Sequence, residues 1–262
     1  MSAQEPHDPA PVAPSSSSAA SGRNDIVDGL RRGVLIGLAA AAVGLPVVHF
    51  TRRARTPDAA SGAAPGRPAG PRRLADFGGT TPSPDARHVA NWVADSRDNL
   101  AVSFVIVDKK FAAVHVFDAD AKLLGSTPVL LGNAPGDHSV AGIGQKAIAD
   151  IKPEERTTPA GRFIAERGRN ASGEDIVWID YDAAVSMHRV RATVASERRL
   201  ERLASPSIED NRISWGCINV PVAFYEEHLQ PLFARTRAIV YVLPEVLPVR
   251  EVFASYDVPE HG

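Results

Sequence analysis

The stretch Arg212-Ile-Ser-Trp-Gly-Cys-Ile-Asn-Val-Pro221 contains Cys217, the only cysteine of the 262-residue chain. Apolar residues at helical spacing predict a helix from about Pro221 to Ala234, which would place the thiol just before a helix N-terminus. The positive end of a helix, together with nearby arginines, lowers the pKa of a thiol and makes it more nucleophilic. Gly216 would let the backbone approach a substrate closely. A lone cysteine is, however, more often a small buried hydrophobic residue, and these residues alone leave both interpretations open.

Short β-branched and apolar segments with Gly, Pro and Asp between them predict a mainly β fold with short helices. The segments from Val102 to Val107 and from Ala113 to Phe117 flank a turn, which predicts a hairpin. Further strands are predicted at Leu123 to Leu131, Arg162 to Glu166, Ile176 to Tyr181, Ala184 to Val190 and Ala238 to Leu243. A second short helix is predicted from about Ser196 to Ala204. Pro231 is expected to end or kink the helix that begins near Pro221.

The composition of the first third of the chain differs from that of a globular domain. Residues 1–30 are rich in Pro, Ser and Ala and are predicted to be disordered, and residues 51–89 are predicted to be a flexible Ala/Gly/Pro-rich linker. Residues 31–50 are predicted to be a hydrophobic signal anchor or signal peptide. The sequence therefore predicts one folded domain over 90–247, followed by a C-terminal tail over 248–262.

Residues 33–50 form a run of eighteen residues without a formal charge and with arginines on both sides. This length is the lower limit for a helix that crosses a bilayer. An uncleaved anchor, a cleavable signal peptide and a buried core helix are the three alternatives, and Arg31-Arg32 partly resembles a twin-arginine export signal. We expect residues 33–50 to contact the cytoplasmic membrane and the folded domain to lie outside it, in the cell envelope or periplasm.

Charge and histidine spacing argue against two classes of partner. The formal net charge of −2 provides no basic field for nucleic acid. The eight histidines do not follow a metal-binding pattern such as His-Glu-x-x-His. The sequence gives no indication of oligomeric state.

Three motifs together resemble the catalytic domain of the L,D-transpeptidases, the cysteine enzymes of peptidoglycan. Ser214-Trp-Gly-Cys-Ile-Asn219 is similar to the family's Ser/Thr-His-Gly-Cys-apolar-Asn/Arg signature, and five of its six positions agree. Thr158-Pro-Ala-Gly-Arg-Phe163 is similar to the family's Thr-Pro-x-Gly-x-Phe segment. His188, in Ser186-Met-His-Arg-Val190, is in the right order for the family's upstream histidine. The resemblance spans roughly 101–243 and implies a β-sandwich or mixed sheet.

The resemblance implies a reaction and a set of site residues. Cys217 would attack the carbonyl before the terminal D-Ala of a tetrapeptide stem, and His188 would take the thiol proton and return it to the leaving amine. Peptidoglycan stem peptides would be the partner, and neither a metal nor an organic cofactor is implied. The residues expected to bind substrate are Ser214, Trp215, Gly216, Asn219, Arg189 and Arg212.

The chain also departs from the family pattern. Trp215 replaces the second histidine, Arg189 replaces a common glycine, and the interval from His188 to Cys217 is longer than usual. Trp215 would form an aromatic wall for the stem or pack in the core. The extra length, residues 196–210, would cap the cleft or form a solvated charged helix, and the charge pattern favours the second slightly. A catalytically silent protein that binds cell-wall peptides, or an L,D-carboxypeptidase, is the alternative function.

Overall fold

The computed structural model describes residues 70–260. The segments predicted for 1–30 and 31–50 lie outside the described residues, as do residues 51–69 of the predicted linker. Within the described range, no helix is both long enough and apolar enough to cross a membrane.

The fold is dominated by one eight-stranded mixed sheet, which confirms the predicted mainly β class with short helices. The ten strands of the described chain are β1 (Phe104–Asp108), β2 (Ala113–Phe117), β3 (Leu123–Pro128), β4 (Leu131–Gly132), β5 (Gly161–Arg169), β6 (Asp175–Asp180), β7 (Val185–Arg189), β8 (Arg212–Ser214), β9 (Ile218–Val220) and β10 (Ala238–Val242). The strand order in the large sheet is β3-β2-β1-β10-β5-β6-β7-β9, and β4 and β8 form a separate parallel pair. The α-helices are α1 (Pro84–Ser96), α2 (Arg199–Ala204), α3 (Val222–Phe224), α4 (Gln230–Arg235) and α5 (Val249–Phe253).

The central strands β1 and β10 lie side by side in parallel, and every residue in them is buried. Because successive side chains of a strand point to opposite faces, Val105 and Val107 join one core while Phe104 and Ile106 join another. Helix α4 and the residues before it cover the first face, and α1 and α5 cover the second. Burial on both faces explains why these strands are continuous apolar runs.

Helix α1 extends the folded part beyond the predicted boundary at residue 90. Ser83 accepts a hydrogen bond from the N–H of Ala86, and Pro84 occupies the first turn, so the start of the helix is capped in a common way. Val89 and Val93 are fully buried on its inner side. The helix was missed because its apolar residues are mostly alanine and valine within a segment whose Ala, Pro and Arg content is typical of a linker.

The predicted C-terminal tail also packs against the sheet. Helix α5 places Phe253 beside Trp92 and Tyr241, with ring centroids 6.4 and 5.7 Å away. Five residues are too few for a helical period to be visible in the sequence, so this helix was not predicted. The folded part therefore reaches further than 90–247 at both ends.

The helix predicted from Pro221 to Ala234 is present but irregular. Pro221 precedes α3, and a π-helical segment, Tyr225–Leu229, joins α3 to α4. Pro231 lies in the first turn of α4, so the chain continues to Arg235 instead of ending there. Proline has no backbone N–H and cannot donate the usual helical hydrogen bond, and the π-type turn before Pro231 accommodates this loss. Because β9 separates Cys217 from α3, the prediction that the thiol directly precedes a helix was wrong.

Candidate active site

Adjacent parallel strands bring Cys217 and His188 together. In the β7–β9 pair, His188 lies opposite Asn219, and Cys217 immediately precedes β9. The thiol and the imidazole lie close enough that each shifts the pKa of the other. The longer interval between them is looped out as the connection that contains α2, so it does not separate the two side chains.

A backbone carbonyl fixes the protonation of the His188 ring. Nδ1 lies 2.8 Å from the carbonyl oxygen of Arg189. A carbonyl can only accept, so Nδ1 carries the hydrogen and donates it. In the neutral ring Nε2 then has the free lone pair, and this is the nitrogen that can take a proton from Cys217.

The two side chains shift each other's pKa in opposite directions. Burial acts to raise the pKa of Cys217, but the hydrogen bond and charge of His188 outweigh it, and the net direction is down. Burial acts to lower the pKa of His188, but the contact with Cys217 and the Arg189 carbonyl outweigh it, and the net direction is up. Ser186 Oγ, 3.6 Å from Sγ, adds a weak contact. These shifts make it easier to move the thiol proton to His188 and so to form the thiolate, the reactive form of a cysteine nucleophile.

The turn before Cys217 is held tightly by two hydroxyl groups. Ser214 Oγ accepts from the N–H of Gly216 at 3.1 Å and donates to the carbonyl of Cys217 at 2.6 Å. Thr158 is fully buried, and its hydroxyl donates to the carbonyl of Gly216 at 2.8 Å while accepting from the N–H of Gly132 at 2.9 Å. The motif that begins at Thr158 therefore supports the turn that carries Cys217.

Gly216 is required by this turn for two reasons. Its φ is +123°, a conformation that residues with a Cβ rarely adopt. A Cβ there would also lie 2.9 Å from the carbonyl oxygen of Thr157. Ser214 and Gly216 thus shape the Cys217 turn in this structure, and their predicted contact with substrate stays a prediction.

Four charged residues, which we call the Lys109 cluster, lie behind Thr158. Its members are Lys109, Asp137, Arg212 and Glu245. Lys109 is fully buried, and its ammonium group donates to the carbonyls of Gly136 and Thr158 and to Asp137 Oδ1. Arg212 pairs with Glu245 and donates to the carbonyl of Lys109. The cluster therefore fixes the backbone of Thr158, whose side chain holds the turn before the thiol.

The guanidinium groups of the two arginines predicted to bind substrate bond to carboxylates in the described chain and not to the reactive pair. Arg189 is paired with Asp175 at 3.1 Å and Glu226 at 3.2 Å, and it lies over the ring of Tyr225. Arg212 is held by the Lys109 cluster. Because both guanidinium groups already bind carboxylates, their role as substrate ligands stays a prediction.

Trp215 is partly exposed, and the guanidinium of Arg156 lies 3.5 Å from the centre of its ring. This is a cation–π contact, which is stronger when it is shielded from water. Trp215 is therefore neither fully packed in the core nor an open aromatic wall. It forms part of the surface beside the Cys217 turn, and Arg156 covers its ring.

Residues 196–210 pack against the site. Arg199 of α2 donates to Asn219 Oδ1 at 2.6 Å, and Leu203 is buried in a small cluster with Leu130 and Val190. Leu200, Glu201 and Ala204 of α2 are exposed. The helix is therefore largely solvated, as the charge pattern favoured, and its Arg199 and Leu203 also pack against the site.

Sequence reasoning found Cys217 and His188 but missed three contributors. Arg199 was hidden because its partner, Asn219, is brought to it only by the fold. Lys109 looked like a turn residue between two strands. The support given by the Thr158 hydroxyl is visible only once Gly216 and Gly132 are close to it.

Comparisons with solved structures return L,D-transpeptidases. The match to the catalytic domain of the Enterococcus faecium L,D-transpeptidase covers 54% of this chain and 96% of that domain, at 18% identity and a TM-score of 0.30. An L,D-transpeptidase from Mycobacterium smegmatis matches over 53% of this chain and 58% of its own, at 17% identity and a TM-score of 0.30.

The helical cell shape determining protein Pgp2 from Campylobacter jejuni matches over 56% of this chain and 49% of its own, at 14% identity and a TM-score of 0.37. The chain thus spans only about half the length of several matched proteins. No protein-family model matches the sequence, and no curated protein does. At such identities and TM-scores, the chemistry has to be argued from the site itself.

Proposed function

We propose that this chain is a cysteine-dependent acyltransferase, an L,D-transpeptidase that acts on peptidoglycan stem peptides. The observation that carries the proposal is the Cys217–His188 pair. The Arg189 carbonyl accepts the hydrogen bond from Nδ1 of His188, which leaves Nε2 free to take a proton. A merely buried cysteine would have a raised thiol pKa, whereas the pKa of Cys217 is lowered.

The chemistry proceeds in two acyl-transfer steps. Nε2 of His188 takes the thiol proton as Sγ of Cys217 attacks the carbonyl carbon before the terminal D-Ala of a tetrapeptide stem. The resulting C–N bond cleavage sends D-Ala away with the proton from His188 and leaves a thioester. An amine of a second stem then attacks the thioester, His188 accepts its proton, and the C–S bond breaks. His188 then returns the proton to sulfur, which restores the thiol and the neutral imidazole.

We further propose that the protein acts in the cell envelope, outside the cytoplasmic membrane. The support is the apolar run of residues 33–50, followed by a low-complexity stretch long enough to separate a catalytic domain from a membrane surface. The substrate, peptidoglycan, would lie on the same side.

Covalent labelling tests the enzyme proposal. The full-length protein is incubated with a carbapenem, a β-lactam whose ring opens onto a nucleophile, and weighed intact by mass spectrometry. We expect one adduct on the native protein and none on Cys217→Ala. An unmodified native protein that still binds peptidoglycan would instead support the silent, peptide-binding alternative.

Product analysis then separates the two enzymatic alternatives. A tetrapeptide stem is supplied with and without a second stem as amine donor. A cross-linked dimer indicates the transpeptidase, whereas a tripeptide with free D-Ala under both conditions indicates an L,D-carboxypeptidase, since water then resolves the thioester.

A further inference from the structure

The side chain of Arg199 reaches the active site through a single amide. Its Nη1 donates to Asn219 Oδ1 at 2.6 Å, and its Nε donates to Glu197 at 2.6 Å. The amide nitrogen of Asn219 lies 3.4 Å from His188 Nε2 and 3.3 Å from the carbonyl of Cys217. Arg199, Asn219 and His188 thus form a chain of contacts that ends at the catalytic base.

The guanidinium decides which way the amide points. It has only N–H donors, so the atom of Asn219 that it meets must be the oxygen. The amide NH2 is therefore turned towards His188 and the Cys217 carbonyl. Asn219 is 1% exposed, which leaves no room for water to take the place of either partner.

The amide orientation in turn selects the tautomer of the ring. An NH2 group can only donate, so it is compatible with a lone pair on Nε2 and opposes a hydrogen there. If the amide were reversed, its oxygen would favour a hydrogen on Nε2, and that nitrogen could no longer accept a proton from Cys217.

We propose that Arg199 is a positioning residue that, through Asn219, holds His188 in the tautomer whose Nε2 accepts the Cys217 proton. This inference rests on the proposed function. Arg199 does not touch the reacting atoms and acts only through the amide.

The fold places Arg199 firmly. Leu203, one turn further along α2, is buried against Leu130 and Val190. Leu130 and Asn219 exchange both backbone hydrogen bonds at 2.9 Å. Helix α2 is therefore packed on the same backbone that carries Asn219, and residues 196–210 act as a support for the base.

The charges that face His188 are few within the described chain. Cys217 lies on the β9 side, and Arg199 with its partner Glu197 lies on the side of residues 196–210. The positive charge of Arg199 opposes protonation of His188. Its removal should thus shift the His188 titration upward as well as free the amide.

The test uses Arg199→Met in the full-length protein, with Arg198→Met as matched control. Arg198 is the preceding residue, exposed and paired only with Glu201. Two quantities are measured: the rate of carbapenem acylation against pH, and the 15N shifts of His188, assigned with His188→Gln. We expect Arg199→Met to lower the maximal rate roughly tenfold, a part of what a general base contributes, and to move the 15N shifts towards the Nε2–H tautomer. Arg198→Met should match the native protein, and Arg199→Lys should recover most of the rate.

The outcomes separate this inference from the proposed function. A native protein that is never acylated defeats the proposed function, while its 15N shifts still report whether Nε2 is unprotonated. An Arg199→Met variant with native rate and native shifts overturns the inference and leaves the function standing. A lost rate with unchanged 15N shifts also overturns it, because Arg199 would then only hold α2 in place. If Arg199→Met does not fold, Arg199→Lys decides: a folded Lys variant as slow as one lacking His188 contradicts the tautomer account.

Discussion

The Cys217–His188 pair is partly buried and Lys109 of the Lys109 cluster is fully buried, and the two regions differ in how completely their hydrogen bonds are used. The ammonium of Lys109 has three N–H groups and three close acceptors, on Gly136, Asp137 and Thr158. His188 uses one ring nitrogen fully and leaves the other in a long 3.4 Å contact. Because every N–H of Lys109 has an acceptor, the Lys109 cluster has a structural role. Because Nε2 of His188 lacks a close partner, the Cys217–His188 pair is available for reaction.

The two regions are connected through Thr158. Its carbonyl binds Lys109 and its hydroxyl binds the carbonyl of Gly216, directly before the nucleophile. A cluster with saturated hydrogen bonds therefore supports a turn that depends on the positive φ of Gly216. Substitutions in the Cys217–His188 pair should consequently lower the reaction rate, whereas substitutions in the Lys109 cluster should lower the free energy of unfolding.

Replacement of the base should have the largest effect on rate. We expect His188→Gln to slow carbapenem acylation by about 10²–10⁴-fold, because a positioned base typically contributes that much. The midpoint of urea unfolding should change little, since the ring is partly exposed. A variant that keeps more than a tenth of the native rate would show that the proton leaves Cys217 by another route.

Replacement of Lys109 should have the largest effect on stability. Lys109→Met leaves Asp137 and Glu245 without their buried cation, and loss of one partner of a buried ion pair costs about 3–5 kcal/mol. The matched control is Lys110→Met, whose exposed pair with Asp85 is worth about 0–1 kcal/mol. Urea unfolding monitored by tryptophan fluorescence measures both. Equal losses in the two variants would contradict the scaffold role of the cluster.

Replacement of Thr158, which connects the two regions, should lower both the acylation rate and the stability by intermediate amounts. Thr158→Val keeps the shape but removes the hydroxyl from Gly216 and Gly132, and an unsatisfied buried group costs about 1–3 kcal/mol. Acylation should also slow, because the Cys217 turn loses a support. The control is Thr157→Val, a neighbouring buried threonine whose hydroxyl binds no described residue. A slower Thr158→Val with native stability would mean that the hydroxyl acts on the chemistry directly.

The sequence predicted most of the strands, and the motif around Cys217, for a physical reason. Alternating or continuous β-branched runs such as β1 have few other structures available, and the signature around Cys217 combines residues with steric roles, such as Gly216. Helix α1 was missed because its apolar side is built largely of alanine and valine and becomes a core only against sheet residues such as Phe104 and Tyr241. Local pattern cannot show such a partner.

The arginines illustrate the other limit of sequence reasoning. Arg189 and Arg212 were selected because they are near the motifs in sequence, but each lies against a carboxylate distant in sequence. Arg199 was assigned to a solvated helix, yet it reaches Asn219. Guanidinium groups have long side chains and many donors, so their partners are set by the fold rather than by neighbouring residues.

Acid should weaken the Lys109 cluster before it affects the sheet. Burial acts to raise the pKa of Asp137, but hydrogen bonds from three backbone N–H groups and Lys109 lower it to about 2. Because the folded pKa is depressed, the stabilising contribution is complete above about pH 4 and is lost as the pH falls towards 2. We expect the free energy of unfolding to decrease over that range in the native protein and to decrease less steeply in Asp137→Asn. Parallel curves for the two proteins would show that Asp137 is not the group that titrates.

The smallest expected effect separates a weak contact at the thiol from the strong one. Ser186 Oγ lies 3.6 Å from Sγ of Cys217, at the limit of a sulfur hydrogen bond, whereas His188 contributes both a hydrogen bond and a charge. Ser186→Ala should therefore raise the thiol pKa slightly and slow alkylation by iodoacetamide at neutral pH by less than about tenfold, which corresponds to less than one unit of pKa. The pH dependence of alkylation measures the shift. A larger change would mean that Ser186 orients Sγ towards Nε2 and is a second positioning residue beside Cys217. The number of hydrogen bonds that each group makes would then no longer explain by itself why the Cys217–His188 pair is reactive and the Lys109 cluster is not.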